Sequence, residues 1–333
     1  MTVKINERMR VLVTGGSGFI GTNLIELLIQ EGCEVVNIDI SRPRNERHIK
    51  YWIDVDIMDR EKLLRSFEDF IPDYVVHLAA RTDLHSGSVI SEYKVNFVGV
   101  DNVLFCASNQ SSVVRTIVAS SMLVCKVGYT PKNFLDYCPT TIYGESKVLT
   151  EKITRNYDID WILVRPTSIW GPWFGPPYRD FFELVVSGWF FNISENRAAT
   201  KTYGYVGNAC LQIYALLLSN NTSVRGNTYY LGDELPMNVS VWANLVAKCS
   251  LQKPPLTLPF FVYYLAALVG DFLSNFGVKF PLTSFRLRNM TCDNVIDIGR
   301  TNQVVKNEIG KRFSLSLTSN IQTTLNWLNQ VTK

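Results

Sequence analysis

Arg10-Val11-Leu12-Val13-Thr14-Gly15-Gly16-Ser17-Gly18-Phe19-Ile20-Gly21 is the stretch that decides the fold. A short run rich in valine (Arg10–Thr14) stops at glycines, and an amphipathic segment, Phe19–Gln30, begins at once. A strand, a turn and a helix in that order, with Gly15, Gly18 and Gly21 spaced G-x-x-G-x-x-G, suit a bound pyrophosphate. Glycine permits the tight turn, the close approach of backbone to phosphate and the close packing of helix on strand, and the first N–H groups of the helix then hold the phosphates. A glycine pattern alone also fits a turn with no ligand. The dinucleotide fingerprint asks in addition for an acidic residue at the end of the next strand, and Glu34–Asp39 supplies Asp39. Asp39 follows Gly21 by 18 positions. Its carboxylate can accept from the adenosine ribose hydroxyls and would repel a 2′-phosphate, which favours NAD over NADP. Arg42 and Arg44 are either solvated loop charges or ligands of such a 2′-phosphate. Asp56 ends a third predicted strand and reaches toward the adenine amino group, or serves only as an acid at a helix start.

Outward from that turn the first half keeps alternating. Strands are predicted at Lys50–Val55, Asp73–Leu78, Arg115–Ala119 and Asp160–Arg165, and helices at Arg60–Phe70, Ser88–Ser108 and Thr141–Arg155. Alternation of this kind predicts an α/β fold, a doubly wound parallel sheet with right-handed crossovers. After about residue 170 the pattern changes. Gly171–Tyr178 is rich in glycine, proline and aromatics, and shorter elements follow: helices near Phe181–Trp189, Asn208–Leu218, Val241–Ala247 and Pro259–Asn275, and a strand near Thr228–Leu231. The expected division is a Rossmann domain over 1–170 carrying the catalytic residues and a smaller mixed cap over 171–333. Segments near 203–218 are expected to return to the first domain, with Tyr203–Val206 rejoining the sheet.

Composition sets outer limits. The chain has 333 residues, 47% of them apolar and 19% charged, with a formal net charge of +3. Wholesale disorder is excluded, and no basic excess points to nucleic acid. Seven cysteines without a C-x-x-C pair, and histidines only at 48, 77 and 85, offer little to a disulfide framework or a metal site. The opening residues carry no signal-peptide pattern. The most apolar stretch, Leu258–Leu273, is broken by Gly270 and Asp271 and is short for a bilayer crossing, which needs about 20 apolar residues. A reduced, cytoplasmic protein without a transmembrane segment is expected.

Tyr143-Gly144-Glu145-Ser146-Lys147 sets a phenol and an ammonium at i and i+4, on one side of a helix. A phenol with its ordinary pKa of about 10 is no base at neutral pH, and a neighbouring ammonium is expected to lower that value. Ser120-Ser121 ends the strand before, at the carboxyl edge where doubly wound sheets bind ligands.

With these residues in order, the sequence resembles the extended short-chain dehydrogenase/reductase family, of the NAD-dependent epimerase/dehydratase type. The motifs carrying the resemblance are the glycine turn, Asp39, His77-Leu78-Ala79-Ala80, Asn96, Ser121, Tyr-x-x-x-Lys and Arg165-Pro166. It implies Tyr143 as acid/base, Lys147 as electrostatic partner and nicotinamide-ribose ligand, and Ser121 as polarising hydroxyl. Ala79 and Ala80 would line the nicotinamide channel with Asn96 below, and Phe19, Ile20, Ile57, Leu78 and Pro166 would complete the cofactor shell. His77 is read as a packed strand residue. Thr82, Met122, Ser168, Lys201 and Arg288 are the implied substrate contacts, Ser168 standing where the family usually has asparagine. Arg286 shares the diphosphate-binding segment with Arg288. A homodimer through Ser88–Ser108 and Thr141–Arg155 is a further implication.

Family members that dehydrate nucleotide sugars usually follow the serine with Asp-Glu. Here Met122-Leu123 stands in that place, which argues against dehydration. The expectation is therefore an NAD-dependent nucleotide-sugar epimerase, acting at C4, in polysaccharide biosynthesis. The alternative is a dehydrogenase or reductase of a secondary alcohol or ketone, of the 3β-hydroxysteroid dehydrogenase type or a nucleotide-sugar ketoreductase. A dinucleotide sensor without catalysis is disfavoured by the presence of Ser121, Tyr143 and Lys147. Pro259–Asn275 resembles the apolar helix of the hydroxysteroid branch, which often works at membranes; a core helix of the cap is the preferred reading. Trp170, Trp173, Phe174 and Tyr178 either stack on substrate or pack the cap.

Overall fold

The computed structural model describes residues 8–83, 89–220, 222–278, 280, 282–310 and 316–331. Its strands are β1 (Arg10–Thr14), β2 (Glu34–Ile38), β3 (Trp52–Ile53), β4 (Tyr74–His77), β5 (Arg115–Ala119), β6 (Trp161–Pro166), β7 (Ser168–Trp170), β8 (Thr200–Lys201), β9 (Tyr203–Tyr205), β10 (Asn227–Leu231) and β11 (Met237–Asn238). Its helices are α1 (Phe19–Gln30), α2 (Arg60–Phe70), α3 (Val98–Asn109), α4 (Ile142–Arg155), α5 (Tyr178–Val186), α6 (Val206–Leu218), α7 (Val239–Cys249), α8 (Phe260–Ser274), α9 (Ser284–Thr291), α10 (Gly299–Glu308) and α11 (Leu317–Val331).

Seven strands form one parallel sheet in the order β10-β6-β5-β4-β1-β2-β3. Successive side chains of a strand point to opposite faces. Val11 and Val13 accordingly pack with Leu24 and Ile25 of α1 and Ala209 and Ile213 of α6, whereas Leu12 packs with Leu63 and Phe67 of α2 and Val103 of α3. Strand order reverses between β1 and β4, and a crevice opens there at the carboxyl ends of the strands. The doubly wound α/β architecture is the one expected.

Several elements depart from the sequence reading. The third strand is only Trp52–Ile53, because the Asn45 side chain accepts from Arg47 N–H and starts a 3₁₀ turn over Glu46–Tyr51. Asp56 therefore lies beyond the strand, not at its end. The single helix predicted over Ser88–Ser108 is a 3₁₀ turn, Ile90–Asn96, followed by α3, with non-helical Phe97 between them; Ser88 lies outside the described residues. Tyr203–Tyr205 does not rejoin the main sheet but pairs with β7 in a small sheet of its own. The edge position beside β6 goes to β10. The helices α9, α10 and α11 have no counterpart in the elements predicted from the sequence.

The cap has its own aromatic core. Trp170, Phe174, Phe182, Tyr203 and Trp242 pack with Ile321, Leu325 and Leu328 of α11. Tyr178 meets the rings of Tyr203 and Trp242, and Trp173 meets Trp327. These aromatics fill the cap. The α8 helix is not a core helix: it buries Tyr263, Ala267 and Gly270 but leaves Phe261, Tyr264, Leu265, Leu268, Val269 and Phe272 exposed.

Candidate active site

The glycine turn is built for close approach. Gly15 holds φ +74°, and a Cβ there would lie 2.4 Å from the Ala79 backbone nitrogen. A Cβ on Gly21 would lie 2.3 Å from the Gly15 carbonyl oxygen. At the start of α1, Gly18 is the N-cap with no side chain accepting from the first turn, and that turn holds no acidic residue. Its N–H groups and the helix dipole are thus left for an outside anion, as a pyrophosphate requires.

Asp39 follows β2 and is half-buried. Its carboxylate accepts from Ser17 N–H at 3.0 Å and Ser41 N–H at 2.9 Å. Burial raises its pKa, and the two backbone hydrogen bonds oppose the rise. The basic residues that complicated cofactor choice have partners within the chain. Arg44 donates to the Trp173 carbonyl at 2.6 Å, and exposed Arg42 faces Glu46 at 3.8 Å. Asp56 is exposed and accepts from Met58 N–H, while Ile57 beside it is buried near Gly99.

On the other side of the crevice α4 brings up the phenol and the ammonium. Thr141 caps this helix, its hydroxyl accepting from Gly144 N–H. A Cβ on Gly144 would sit 2.3 Å from the Leu123 carbonyl oxygen, so glycine lets α4 press against the turn that follows Ser121. Tyr143 and Ser121 thereby come close enough for the Ser121 hydroxyl to act on the Tyr143 phenol. Ser121 also accepts from Leu123 N–H, capping the short 3₁₀ turn Met122–Val124.

Lys147 is buried, and its ammonium donates to the Ala119 carbonyl at 2.8 Å at the end of β5. Burial pulls its pKa down to about 8, with Glu151 opposing. The same burial pushes the Tyr143 phenol up to about 12, with the nearby Ser121 hydroxyl opposing. This corrects the expectation of an acidified phenol: loss of water raises its pKa and the neighbouring Tyr93 adds to the rise. His77 marks the link to the glycine turn. Its Nδ1 meets Thr14 Oγ1 at 2.7 Å, and its pKa is held at about 3 by burial first and by the nearby Lys147 second. Lys147, His77 and Thr14 thus run from α4 to the residue before Gly15. His77 is a packed strand residue, as read.

The adjoining Ser120 takes another path. Its hydroxyl donates to Glu151 at 2.6 Å, and Glu151 is bonded by Arg165 at 2.7 and 2.9 Å and by the Tyr137 hydroxyl. Burial acts to raise the Glu151 pKa, but the Arg165 bonds hold it below the ordinary value. Glu151 stands four after Lys147, so helical spacing was the signal for this network. Asn96 spends its amide on the Arg81 backbone and on Ser146 Oγ, bracing the segment after Ala80. The sequence reading missed Ser146, and nothing in its spacing marks it.

The remaining substrate candidates are spread along the cleft wall and beyond. Met122 meets Asn294 Nδ2 at 3.6 Å, and a bridge joins Asn294 to Lys201. Burial lowers the Lys201 pKa, with Cys292 and Asp293 opposing. Ser168 is buried; burial pushes the Tyr178 phenol up to about 12, with the nearby Ser168 hydroxyl opposing. Thr82 and Arg288 are exposed. Leu78 follows β4 with its N–H on the Thr14 carbonyl, and Pro166 ends β6. Among the described residues, no three His, Cys, Asp or Glu side chains are grouped to hold a metal ion.

A family model described as the NAD dependent epimerase/dehydratase family matches residues 11–231. The chain belongs to that family. It is accordingly an NAD-dependent enzyme, and the glycine cradle, the uncapped start of α1 and Asp39 fit that cofactor. The chain is 28% identical to a 3-beta-hydroxysteroid dehydrogenase of Mycolicibacterium neoaurum, over 82% of this chain and 79% of the relative. It is 28% identical to an N-acetyl-alpha-D-glucosaminyl-diphospho-ditrans,octacis-undecaprenol 4-epimerase of Escherichia coli O157:H7, over 86% and 87%. In fold it is similar to the UDP-glucuronic acid 4-epimerase of Bacillus cereus, with TM-score 0.74, 18% identity, and coverage of 97% of this chain and 100% of that one.

Proposed function

We propose that the protein is a nucleotide-sugar 4-epimerase. The observation that carries this reading is the meeting of Ser121 and Tyr143 beside buried Lys147 at the crevice, with Met122-Leu123 in place of an acidic pair. Such a site can exchange a proton and a hydride at a carbinol carbon, but it lacks the extra acid and base that elimination of water needs. NAD, when bound, supplies a hydride acceptor that gives back what it takes, so no co-substrate is consumed.

The chain's residues divide the rest of the work. Tyr143 takes the proton of the sugar hydroxyl and returns it after the ring has turned over. Ser121 Oγ donates to the reacting oxygen. Lys147 would hold the cofactor ribose through its ammonium, and its charge would favour the phenolate once cofactor and substrate are in place. Lys201 and Arg288 meet the diphosphate, Lys201 as a point charge without bidentate geometry. A cytoplasmic homodimer built through α3 and α4, serving polysaccharide synthesis, goes with this reading.

A hydroxysteroid-type dehydrogenase is the second reading, favoured by the Mycolicibacterium relative and by the apolar α8. One assay separates the two. The NAD-loaded protein is incubated with UDP-, GDP- and dTDP-sugars, with a polyprenyl-diphosphate sugar and with a free sterol alcohol. Interconversion of sugar epimers without lasting NADH supports the first reading; accumulating NADH with the sterol overturns it. Tyr143→Phe should lower epimerase turnover about 10²–10⁴-fold, the usual contribution of a positioned acid–base group, while leaving NAD binding intact.

A further inference from the structure

Tyr143 stands in the first turn of α4, where a side chain can swing about two torsions unless a neighbour fills the space. Tyr93 fills it. The two rings lie with centroids 6.5 Å apart and planes tilted by 55°. Tyr93 belongs to the 3₁₀ turn Ile90–Asn96 and is 1% exposed. Its hydroxyl donates to the Asp83 carbonyl at 2.5 Å, and the Arg81 guanidinium stands over its ring, 4.9 Å from the centroid.

Arg81 is itself held in one direction. Its guanidinium donates to both carboxylate oxygens of Asp83, at 2.8 and 3.0 Å, and to the Glu92 carbonyl at 3.0 Å, and it faces the Glu92 carboxylate at 3.4 Å. The Arg81 and Asp83 side chains are 32 and 39% exposed, so this ion pair adds little to stability. What a two-pronged guanidinium–carboxylate pair supplies is orientation. The same stretch grips α4 through its backbone. Arg81 N–H donates to Asn96 Oδ1, Asn96 Nδ2 donates to the Arg81 carbonyl and to Ser146 Oγ, and Ser146 Oγ donates to the Tyr143 carbonyl at 2.7 Å. Tyr143 is thus clasped twice from the segment after Ala80: at its backbone through Asn96 and Ser146, and at its ring through Tyr93. Arg81 stands at the root of both.

We propose that Arg81 and Tyr93 are positioning residues, which together hold the Tyr143 phenol toward Ser121 for proton transfer. Neither side chain takes the proton; Arg81 acts through Tyr93, and Tyr93 through the ring it packs against. The proposal rests on Tyr143 as the proton-transferring group, which both readings above share, and not on the identity of the substrate.

The test uses the full chain loaded with NAD and whichever nucleotide sugar or sterol alcohol the wild-type chain turns over. Tyr93→Leu should lower kcat about 10–10²-fold, the cost of a small misplacement, with substrate KM and NAD binding unchanged. Tyr93→Phe, which keeps the ring, should recover most of that loss. Arg81→Met should lower kcat in the same direction, and the double variant should fall no further than Tyr93→Leu alone, because the two act as one unit. In a Tyr143→Phe background Tyr93→Leu should cost nothing more. An unchanged kcat in Tyr93→Leu overturns the proposal, as does an equal loss in the Tyr143→Phe background, which marks a merely structural role. Nitration of tyrosines by tetranitromethane, located by mass spectrometry, reads the ring without turnover. Tyr143 should be nitrated at least about threefold faster in Arg81→Met, a change at a partly exposed position, because a loosened clasp opens more often. An unaltered rate also overturns the proposal. A wild-type chain that turns over no member of the panel refutes the functional reading alone, and nitration then decides the positioning.

Discussion

Lys147 concentrates the conflict between burial and chemistry. Its ammonium is bonded to one carbonyl in a place where burial disfavours charge, and its pKa falls from 10.5 to about 8. The unfolded chain therefore holds more protons than the folded one between about pH 8 and pH 10.5, so this group makes stability rise with pH across that window. Lys147→Met should flatten that rise, as read from thermal midpoints at successive pH values. Tyr143 acts with the opposite sign. Its raised pKa makes stability fall above about pH 10, where the unfolded phenol ionises first. The i, i+4 spacing placed both groups on one face. It gave no measure of burial, and burial decides the sign of both shifts.

Among the elements, α4 positions the chemistry, and its two contacts can be broken separately. Gly144→Ala would drive a methyl group into the Leu123 carbonyl and move Tyr143 away from Ser121. A misplacement of about 1 Å can cost about 10²-fold, so turnover should drop by roughly that much while circular dichroism keeps the folded signal. Glu151→Ala would leave Arg165 buried and unpaired, with both side chains fully enclosed in the native chain. Breaking such a pair costs about 3–5 kcal/mol, measurable by urea denaturation. The limits of α1 and α4 were readable because Gly18 and Thr141 are local start signals. Phe97, by contrast, interrupts a continuous apolar pattern through backbone angles that the composition does not announce. The glycine turn and the Tyr-x-x-x-Lys pair were legible because each is contiguous. The Asn96–Ser146 and Ser120–Glu151–Arg165 contacts join distant segments and became visible only when the sheet brought them together.

At the scale of the molecule, one sheet is made from both halves of the chain. β10 enters after the cap's first helix and lies along β6, while α6 covers Val11, Val13 and Val164. A chain ended after residue 170 should therefore sediment as aggregate, whereas the full chain stays in solution, as ultracentrifugation would show. It would leave β6, with Trp161, Ile162, Leu163 and Val164, as a bare edge with an uncovered apolar face beside it. The chain after residue 170 cannot be removed or exchanged as a cassette. Any recombination that swaps specificities within such a scaffold has to carry residues 206–218 and 227–231 along with the nucleotide-binding half.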